Sequence, residues 1–186
     1  MSEHINKYHK GSEWRKWDLH FHTPTSYDYK NKSITNQEII DNLISNDIAV
    51  VAITDHHIID VERIEELQKL GSDKVTILPG IEFLCESRGS DPIHFIGIFP
   101  EKCNLQFIWE QIKNQTNIKR IYGDGKSENE VYCELENTAN LIHELGGITT
   151  IHAGSKTNTL DNITHSLPHG VAQKEDISRH IDIFEL

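Results

Sequence analysis

Cysteine, long apolar runs and paired basic residues are all scarce in this 186-residue sequence. The three cysteines, Cys85, Cys103 and Cys133, are odd in number, far apart and without a C-x-x-C pair. This pattern argues against a disulfide framework and against a thiolate zinc site. No apolar run approaches the roughly 20 residues that cross a bilayer, and the polar N-terminus lacks the apolar core of a signal peptide. We therefore expect a cytoplasmic protein without membrane contact.

Positive charge is also in short supply. The formal net charge is −11, and the basic clusters are short, namely Arg15-Lys16 and Lys119-Arg120. A broad basic surface for nucleic acid is therefore excluded, and any contact with nucleic acid has to be local.

The order of apolar runs and amphipathic segments predicts an α/β fold with a mostly parallel sheet. A capping-box pair, Thr35 and Glu38, starts a predicted helix over about 36–46, and Gly71 should end a second helix. Further helices are predicted in NLQFIWEQIKNQ and over about 131–145, whereas 118–130 and 155–170 are expected to be loops. The predicted strands are KWDLHFH, IAVVAIT, VTILPGIEF, PIHFIGIF, ITTIHAG and IDIFEL.

Histidine is the unusual abundance, with 12 residues, and two of them share the segment WDLHFHT. Successive side chains of a strand point to opposite faces, so Asp18, His20 and His22 should share one face, with Leu19 and Phe21 on the other. Imidazole is the commonest protein ligand of first-row metals. The segment therefore suits a metal ion.

Four later strands each carry further potential ligands at or near an end. Asp55 and His56 follow the second strand, and Glu82, His94 and His152 lie in the next three. Ligands from separate strands converge in α/β barrels, where strand ends meet the following loops. Oxygen and nitrogen donors without sulfur suit Zn²⁺, Mn²⁺ or Fe²⁺ in a catalytic site. Glu82 is able to bridge two ions about 4 Å apart, an arrangement that suits a phosphoester substrate.

The ordered motifs DLHFHT, ITDHH, PGIE, the His94 strand and IHAG resemble those of the PHP (polymerase and histidinol phosphatase) domain. The resemblance implies a distorted (β/α)7 barrel with two or three divalent ions that hydrolyses phosphomonoesters or nucleic-acid phosphodiesters. It implies that His20 and His22 bind one ion, that Glu82 bridges, that His94 and His152 bind a second ion, and that His56 serves a third. Asp55 would orient a ligand or help to position water.

The sequence departs from the family pattern in two places. His152-Ala153-Gly154 replaces the usual H-P-G, and the late strand with Asp-x-His is absent, since IDIFEL resembles the strand before it. We therefore expect one PHP-type domain over 1–186, with 1–15 as a lead-in, that is either truncated from a longer protein or incomplete in its site.

A narrower resemblance concerns WDLHFHTPTSYD, IHAG and IDIFEL, which are similar to the N-terminal PHP domain of TrlF-type AAA-like ATPases. It implies an ATPase domain in the same longer chain and a part in nucleic-acid processing and phage defence. We therefore expect a metal-dependent phosphoesterase that favours nucleic acid, and a homo-oligomer is compatible with the sequence. The alternatives are a small-molecule phosphomonoesterase of the histidinol-phosphatase kind and a catalytically silent scaffold.

Several other polar residues have local interpretations. Lys156 lies in the loop 155–170, which is either a solvated surface loop or a lid that contacts the substrate phosphate. GDGKS lacks the first glycine of a phosphate loop, so we interpret it as a turn. His57 and His143 are expected to serve local structure.

Overall fold

The computed structural model describes residues 14–85, 92–153 and 170–185, and its element order confirms the predicted α/β class. The strands are β1 Lys16–Phe21, β2 Ile48–Ile53, β3 Thr76–Cys85, β4 Ile93–Ile98, β5 Ile148–His152 and β6 Ile183–Glu185. The helices are α1 Asn36–Ser45, α2 Val61–Gly71, α3 Leu105–Gln115, α4 Lys119–Asp124, α5 Leu135–Glu144 and α6 Gly170–Ser178.

The six strands form one sheet in the order β1-β2-β3-β4-β5-β6. The β1/β2, β2/β3 and β5/β6 pairs are parallel, as the sequence predicts, but β4 runs antiparallel to both β3 and β5. No helix stands between β3 and β4 in the described chain order. A parallel pair requires a long crossover connection, whereas an antiparallel pair needs only a short one.

The sheet curls until its two ends approach each other. β1 and β6 lie at opposite ends of the strand order, yet Nδ1 of His20 in β1 is 3.5 Å from Oε2 of Glu185 in β6. Within the described ranges these two strands share no backbone ladder. The molecule is therefore a curled half-barrel, and the count of seven repeats stays a prediction.

Helices cover the outer face of this sheet. Ile53, Ile77 and Phe95 are fully buried there and belong to the main core, together with Ile39 of α1 and Ile142 of α5. The residues that alternate with these along the strands pack with Leu19 in a second, smaller cluster, namely Ala52, Leu78, Ile96 and Ile98. Because side chains alternate between the two faces of a strand, this second cluster lies on the concave face.

Helix boundaries follow the sequence closely where caps are present. The capping box of Thr35 and Glu38 forms at α1 as predicted, and Gly71 is the last residue of α2. The N-cap of α2 is Asp60, whose side chain accepts from the Arg63 N–H.

Three predicted local features need correction. The stretch 118–130 is not a plain loop, because it contains α4 and a 3-10 turn at Glu128–Glu130. The helix predicted from 131 begins at Leu135, and the short helix α6 lies after the expected loop 155–170, where no helix was predicted. α4 buries no side chain, so it lacks the apolar stripe by which such helices are found in a sequence.

Within the described ranges, no helix combines the length and the apolar character that a membrane span requires.

Candidate metal centre

The predicted ligands are brought together at one edge of the curled sheet. His20 lies near the end of β1, His56 follows β2, and His152 is the last residue of β5. β4 runs in the opposite direction, and its His94 lies at the start of the strand. A ligand at the start of an antiparallel strand reaches the same edge as ligands at the ends of its parallel neighbours.

Glu82 is the centre of this arrangement. Its side chain is fully buried, and Oε2 lies 2.9 Å from Nε2 of His20, 2.7 Å from Nε2 of His22 and 3.4 Å from Nδ1 of His56. His94 contacts the other oxygen, Oε1, through Nδ1. Four imidazoles from three strands and their ends, β1, β2 and β4, therefore converge on one carboxylate.

The backbone holds Glu82 in place from the β2 side. The Glu82 N–H donates to the Asp55 carbonyl, and the His57 N–H donates to the Glu82 carbonyl. These bonds extend the pairing of β2 and β3 past the end of β2, with His56 opposite Glu82. The segment Thr54–His57 is thus placed by main-chain bonds, which do not depend on a bound ion.

The charges in the cluster shift one another's titration. Burial raises the pKa of Glu82, but hydrogen bonds from His20, His22 and His94 outweigh it and hold the pKa well below its usual value. Burial lowers the pKa of His20, yet hydrogen bonds to Glu185 and Glu82 raise it to about 10. His22 shows the same balance and also has a raised pKa, whereas burial dominates at His56 and lowers its pKa. The free cluster therefore retains protons that bound metal ions would displace.

Two acidic residues of the cluster were not predicted. Glu185 of β6 lies 3.1 Å from Nδ1 of His152, and its Oε1 accepts a hydrogen bond from Thr150. Burial opposes ionisation of Glu185, but hydrogen bonds from His20 and Thr150 lower its pKa. The signal in the sequence was the alternation in IDIFE, which places Ile183 and Glu185 on one face of β6.

Asp28 is the second such residue, in the loop after β1. Its Oδ1 is 3.4 Å from Nδ1 of His22, and its Oδ2 is 3.5 Å from Nε2 of His56. Burial raises the pKa of Asp28, but the Ser26 hydroxyl and the histidines His56 and His22 lower it overall. The loop has no regular alternation of apolar and polar residues, so no pattern in the sequence indicated that Asp28 faces the cluster.

Among the described residues, the donor atoms form four overlapping groups, and the atoms of each group lie within 4.8 Å of one another. The groups are His20, His152 and Glu185; His20, His22 and Glu82; His22, Asp28 and His56; and His56, Glu82 and His94. The resemblance grouped His94 with His152, whereas the structure groups His94 with His56 and Glu82, and His152 with His20 and Glu185. The curl of the sheet explains this difference, because it brings β5 and β6 up to β1.

The donor chemistry fits divalent ions. His20 Nε2 and His22 Nε2 lie 3.2 Å apart and both lie within hydrogen-bond distance of the same buried oxygen of Glu82. The salt-bridge partners of Glu82 in the described part of the chain are histidines, so no permanent cation balances it there. Nitrogen and carboxylate oxygen without thiolate suit Zn²⁺, Mn²⁺ or Fe²⁺.

The side chain of Asp55 belongs to none of these donor groups. It is buried, with Oδ1 2.6 Å from the backbone nitrogen of Thr23 and Oδ2 2.7 Å from the Thr23 hydroxyl. Burial raises the pKa of Asp55 in spite of these two hydrogen bonds. Asp55 therefore acts on the site through Thr23, the neighbour of His22.

The simple alternation predicted for β1 is wrong in its first half. The register is irregular between Asp18 and Phe21, and Asp18 stands opposite Val51, a residue of the main core. Leu19 packs in the concave cluster and Phe21 in the main core, so they do not share a face. The irregularity moves His20 and His22 onto the concave face without Asp18, whose Oδ1 accepts from the His20 N–H.

Among the remaining predicted residues, His57 and His143 belong to none of the donor groups. Lys156 and Gly154 fall outside the described residues. His57 is buried with φ of 56° and a pKa lowered by burial to about 4. His143 lies 2.9 Å from Asp182, so it pairs with a side chain as well as lying at the end of α5. Gly125 ends α4 with φ of 66°, which agrees with a turn in GDGKS.

No family model matches this sequence, and no curated protein matches it either. Solved structures do match in fold. An amidohydrolase from Chromobacterium violaceum, solved with sulfate and without metal, is 16% identical, with 91% of this chain and 75% of that chain covered and a TM-score of 0.57. A candidate metal-dependent phosphoesterase from Bifidobacterium adolescentis is 13% identical, with 92% and 77% covered and a TM-score of 0.58.

A third match is a two-domain protein from Bacteroides vulgatus that contains a predicted PHP-like metal-dependent phosphoesterase. It is 12% identical, with 91% of this chain but 43% of that chain covered, and the TM-score is 0.54. The fold of this chain is therefore similar to that of PHP-like metal-dependent phosphoesterases. At these identities the likeness concerns the fold alone.

Proposed function

We propose that this domain is a metal-dependent phosphoesterase with two or three divalent ions, and that nucleic-acid phosphates are its favoured substrates. The observation that carries the proposal is the convergence of four imidazoles on the buried carboxylate of Glu82. The similarity in fold to PHP-like phosphoesterases supports the same class of reaction. A linked ATPase domain and a part in phage defence belong to this proposal.

Different residues would bind different ions of the centre. Glu82, with one oxygen toward His20 and His22 and the other toward His94, would bridge neighbouring ions. Glu185 would complete a group on the β6 side, and Asp28 would complete one on the loop side. Bound divalent ions would supply neutralisation of phosphoryl oxygens and activation of water for in-line attack on phosphorus.

The protein itself supplies orientation. Thr23 is fixed by Asp55, and the Ser26 hydroxyl lies 2.8 Å from Asp28 Oδ1 and 3.3 Å from the His56 backbone nitrogen. Each of these bonds restrains a ligand or its neighbour before any substrate arrives. Such restraint of ligands by hydrogen-bonded partners commonly changes metal affinity or activity about 10- to 100-fold when it is lost.

The test is the variant Glu82→Gln, which keeps the shape of the side chain and removes its charge. We expect loss of bound metal and a fall in metal-dependent hydrolysis of bis(p-nitrophenyl) phosphate of at least about 100-fold, since several groups share Glu82. Metal content and turnover are measured on the same preparations. Glu65→Gln, at an exposed position of α2, is the matched control and should behave as the wild type.

Three results would count against the proposal. Unchanged metal content in Glu82→Gln would contradict the assigned centre. Metal binding without any hydrolysis of diesters, monoesters or oligonucleotides would favour the silent scaffold. Turnover of monoesters alone would favour the small-molecule phosphatase.

A further inference from the structure

Tyr27 presents an exposed aromatic face beside the metal centre. Its side chain is 48% exposed, and its ring centroid lies 4.9 Å from that of His56, with 32° between the planes. It is also flanked in the chain by Ser26 and Asp28, which contact each other. An exposed tyrosine is ordinary by itself, so its surroundings decide what it can do.

The loop that carries Tyr27 is fastened at several points. The Thr25 hydroxyl lies 2.6 Å from Asp60 Oδ2, and Nε of Arg63 donates to the same hydroxyl at 2.9 Å. Lys32 donates to the Ser26 carbonyl. The ring is therefore held in place beside His56, and a ligand that stacks on it does not have to order the loop first.

A second exposed tyrosine stands near the same segment. Tyr122 of α4 is 45% exposed, its hydroxyl donates to the His57 carbonyl at 3.2 Å, and its ring meets Trp109 edge to face. The short helix α4 is thus docked next to His57.

Glu128 in the 3-10 turn has an oxygen without a partner. Its Oε2 is buried and makes no hydrogen bond within the described part of the chain. Three residues separate the 3-10 turn from α4, and the Lys126 N–H in this connection donates to the Arg120 carbonyl, so Glu128 stays near the helix whose Tyr122 contacts His57. A buried acceptor without a donor is costly, and a ligand N–H would satisfy it.

An aromatic face and an open carboxylate oxygen beside a phosphate-binding centre match one chemical class of ligand. Nucleobases stack on tyrosine, and their amino and imino groups donate to carboxylates. We propose that Tyr27 stacks the nucleobase next to the scissile phosphate and that Glu128 accepts a hydrogen bond from that base. This inference rests on the proposed phosphoesterase function and narrows its substrate to nucleotides whose base is unstacked from its neighbours.

The test compares two ligands with the same sugar and phosphate. Guanosine 5′-monophosphate carries a base and ribose 5-phosphate does not, so the ratio of their dissociation constants reports base recognition. Titration calorimetry on the metal-loaded full chain measures both. For Tyr27→Ala we expect guanosine 5′-monophosphate to bind about 5- to 100-fold more weakly, the range for loss of one base–aromatic stack, with ribose 5-phosphate unchanged.

Three further variants make the result specific. Tyr27→Phe keeps the aromatic face and should bind as the wild type. Glu128→Gln weakens the acceptor and should lower the preference for guanosine 5′-monophosphate over ribose 5-phosphate about threefold or more. Phe107→Ala removes an aromatic side chain that is 52% exposed on α3 and should change neither constant.

The inference is overturned if the wild type binds both ligands equally, or if Tyr27→Ala weakens both by the same factor. It is also overturned if Tyr27→Ala changes neither ligand. These results are distinct from failure of the proposed function, which would appear as absent metal or absent hydrolysis in the wild type while the preference for a base remained.

Discussion

Hydrogen bonds of single residues hold the ligands of the metal centre in position, and those of Asp55 are the clearest case. It lies directly after β2 in the predicted T-D-H motif, yet both of its oxygens are used by Thr23. The motif predicted its location beside the site. It did not predict its partner, because the partner is 32 residues away in the chain.

The Asp55–Thr23 pair predicts a measurable coupling. Asp55→Asn and Thr23→Val should each lower the free energy of unfolding by about 1–3 kcal/mol, because each leaves a buried polar group without its partner. The double variant should cost less than the sum, with a coupling of at least about 0.5 kcal/mol. Urea unfolding of the four proteins gives the cycle, and strict additivity would show that the two side chains act independently.

At the scale of elements, the tight packing of β3 between β2 and β4 sets the position of Glu82. A Cβ at Gly80 would lie 3.0 Å from the carbonyl oxygens of Gly97 and Ile53 and 2.9 Å from a methyl group of Thr54. Backbone atoms on both neighbouring strands cannot move aside easily. The glycine of the predicted P-G-I-E motif is therefore required by the close approach of three strands.

Gly80→Ala should lower the free energy of unfolding by about 1–3 kcal/mol, as overpacking of a core does. It should also reduce metal content, since Glu82 is two residues away. Gly123→Ala is the matched control, because nothing lies within 4 Å of that position and the glycine has no positive φ. In the helix α4 the added methyl should be neutral or stabilising. Equal behaviour of the two variants would contradict this account of β3.

The strand β6 is held by a polar cluster at its start. Asp182 Oδ2 accepts from the Thr149 N–H at 2.8 Å and from its hydroxyl at 3.0 Å, and lies 2.9 Å from Nε2 of His143. Burial raises the pKa of Asp182, but hydrogen bonds from Thr149 and His143 together outweigh it and lower the pKa below its usual value. A carboxylate with a lowered pKa stabilises the fold above its ordinary pKa, and that contribution is lost as the pH falls through the folded value.

The pH dependence of the free energy of unfolding tests whether the charge of Asp182 holds β6. Between pH 6 and pH 3, metal-free wild-type protein should lose more unfolding free energy than Asp182→Asn, by at most about 1 kcal/mol because the group is largely solvated. Urea unfolding at both pH values measures the difference. An identical loss in both proteins would show that the Asp182 charge does not hold β6.

The secondary structure also shows which features could be predicted from the sequence and which could not. All six strand locations were predicted, because apolar and β-branched runs bounded by turns carry a strong local signal. The reversed direction of β4 was missed, since IHFIGI is equally apolar for either direction. Asp28 was missed because its place in the cluster depends on the path of a loop, and Glu185 was missed because the alternation in IDIFE gives its face of β6 but not the curl that brings β6 to β1.

In the whole molecule, the metal centre lies where the two ends of the sheet meet. His20 of β1 faces Glu185 of β6 across 3.5 Å, although the strands share no backbone pairing in the described ranges. The side chains of the centre therefore join the two edges that the backbone leaves open. Bound ions would strengthen this connection, so the fold and the centre should depend on each other.

The measurement that tests the central claim most directly is the element-resolved metal content per chain of the purified wild-type protein, before and after exposure to Mn²⁺ or Zn²⁺. The overlapping donor groups around Glu82 predict two or more divalent ions per chain. A protein that remains folded and binds no ion under either condition would contradict the assignment of this cluster as a metal centre.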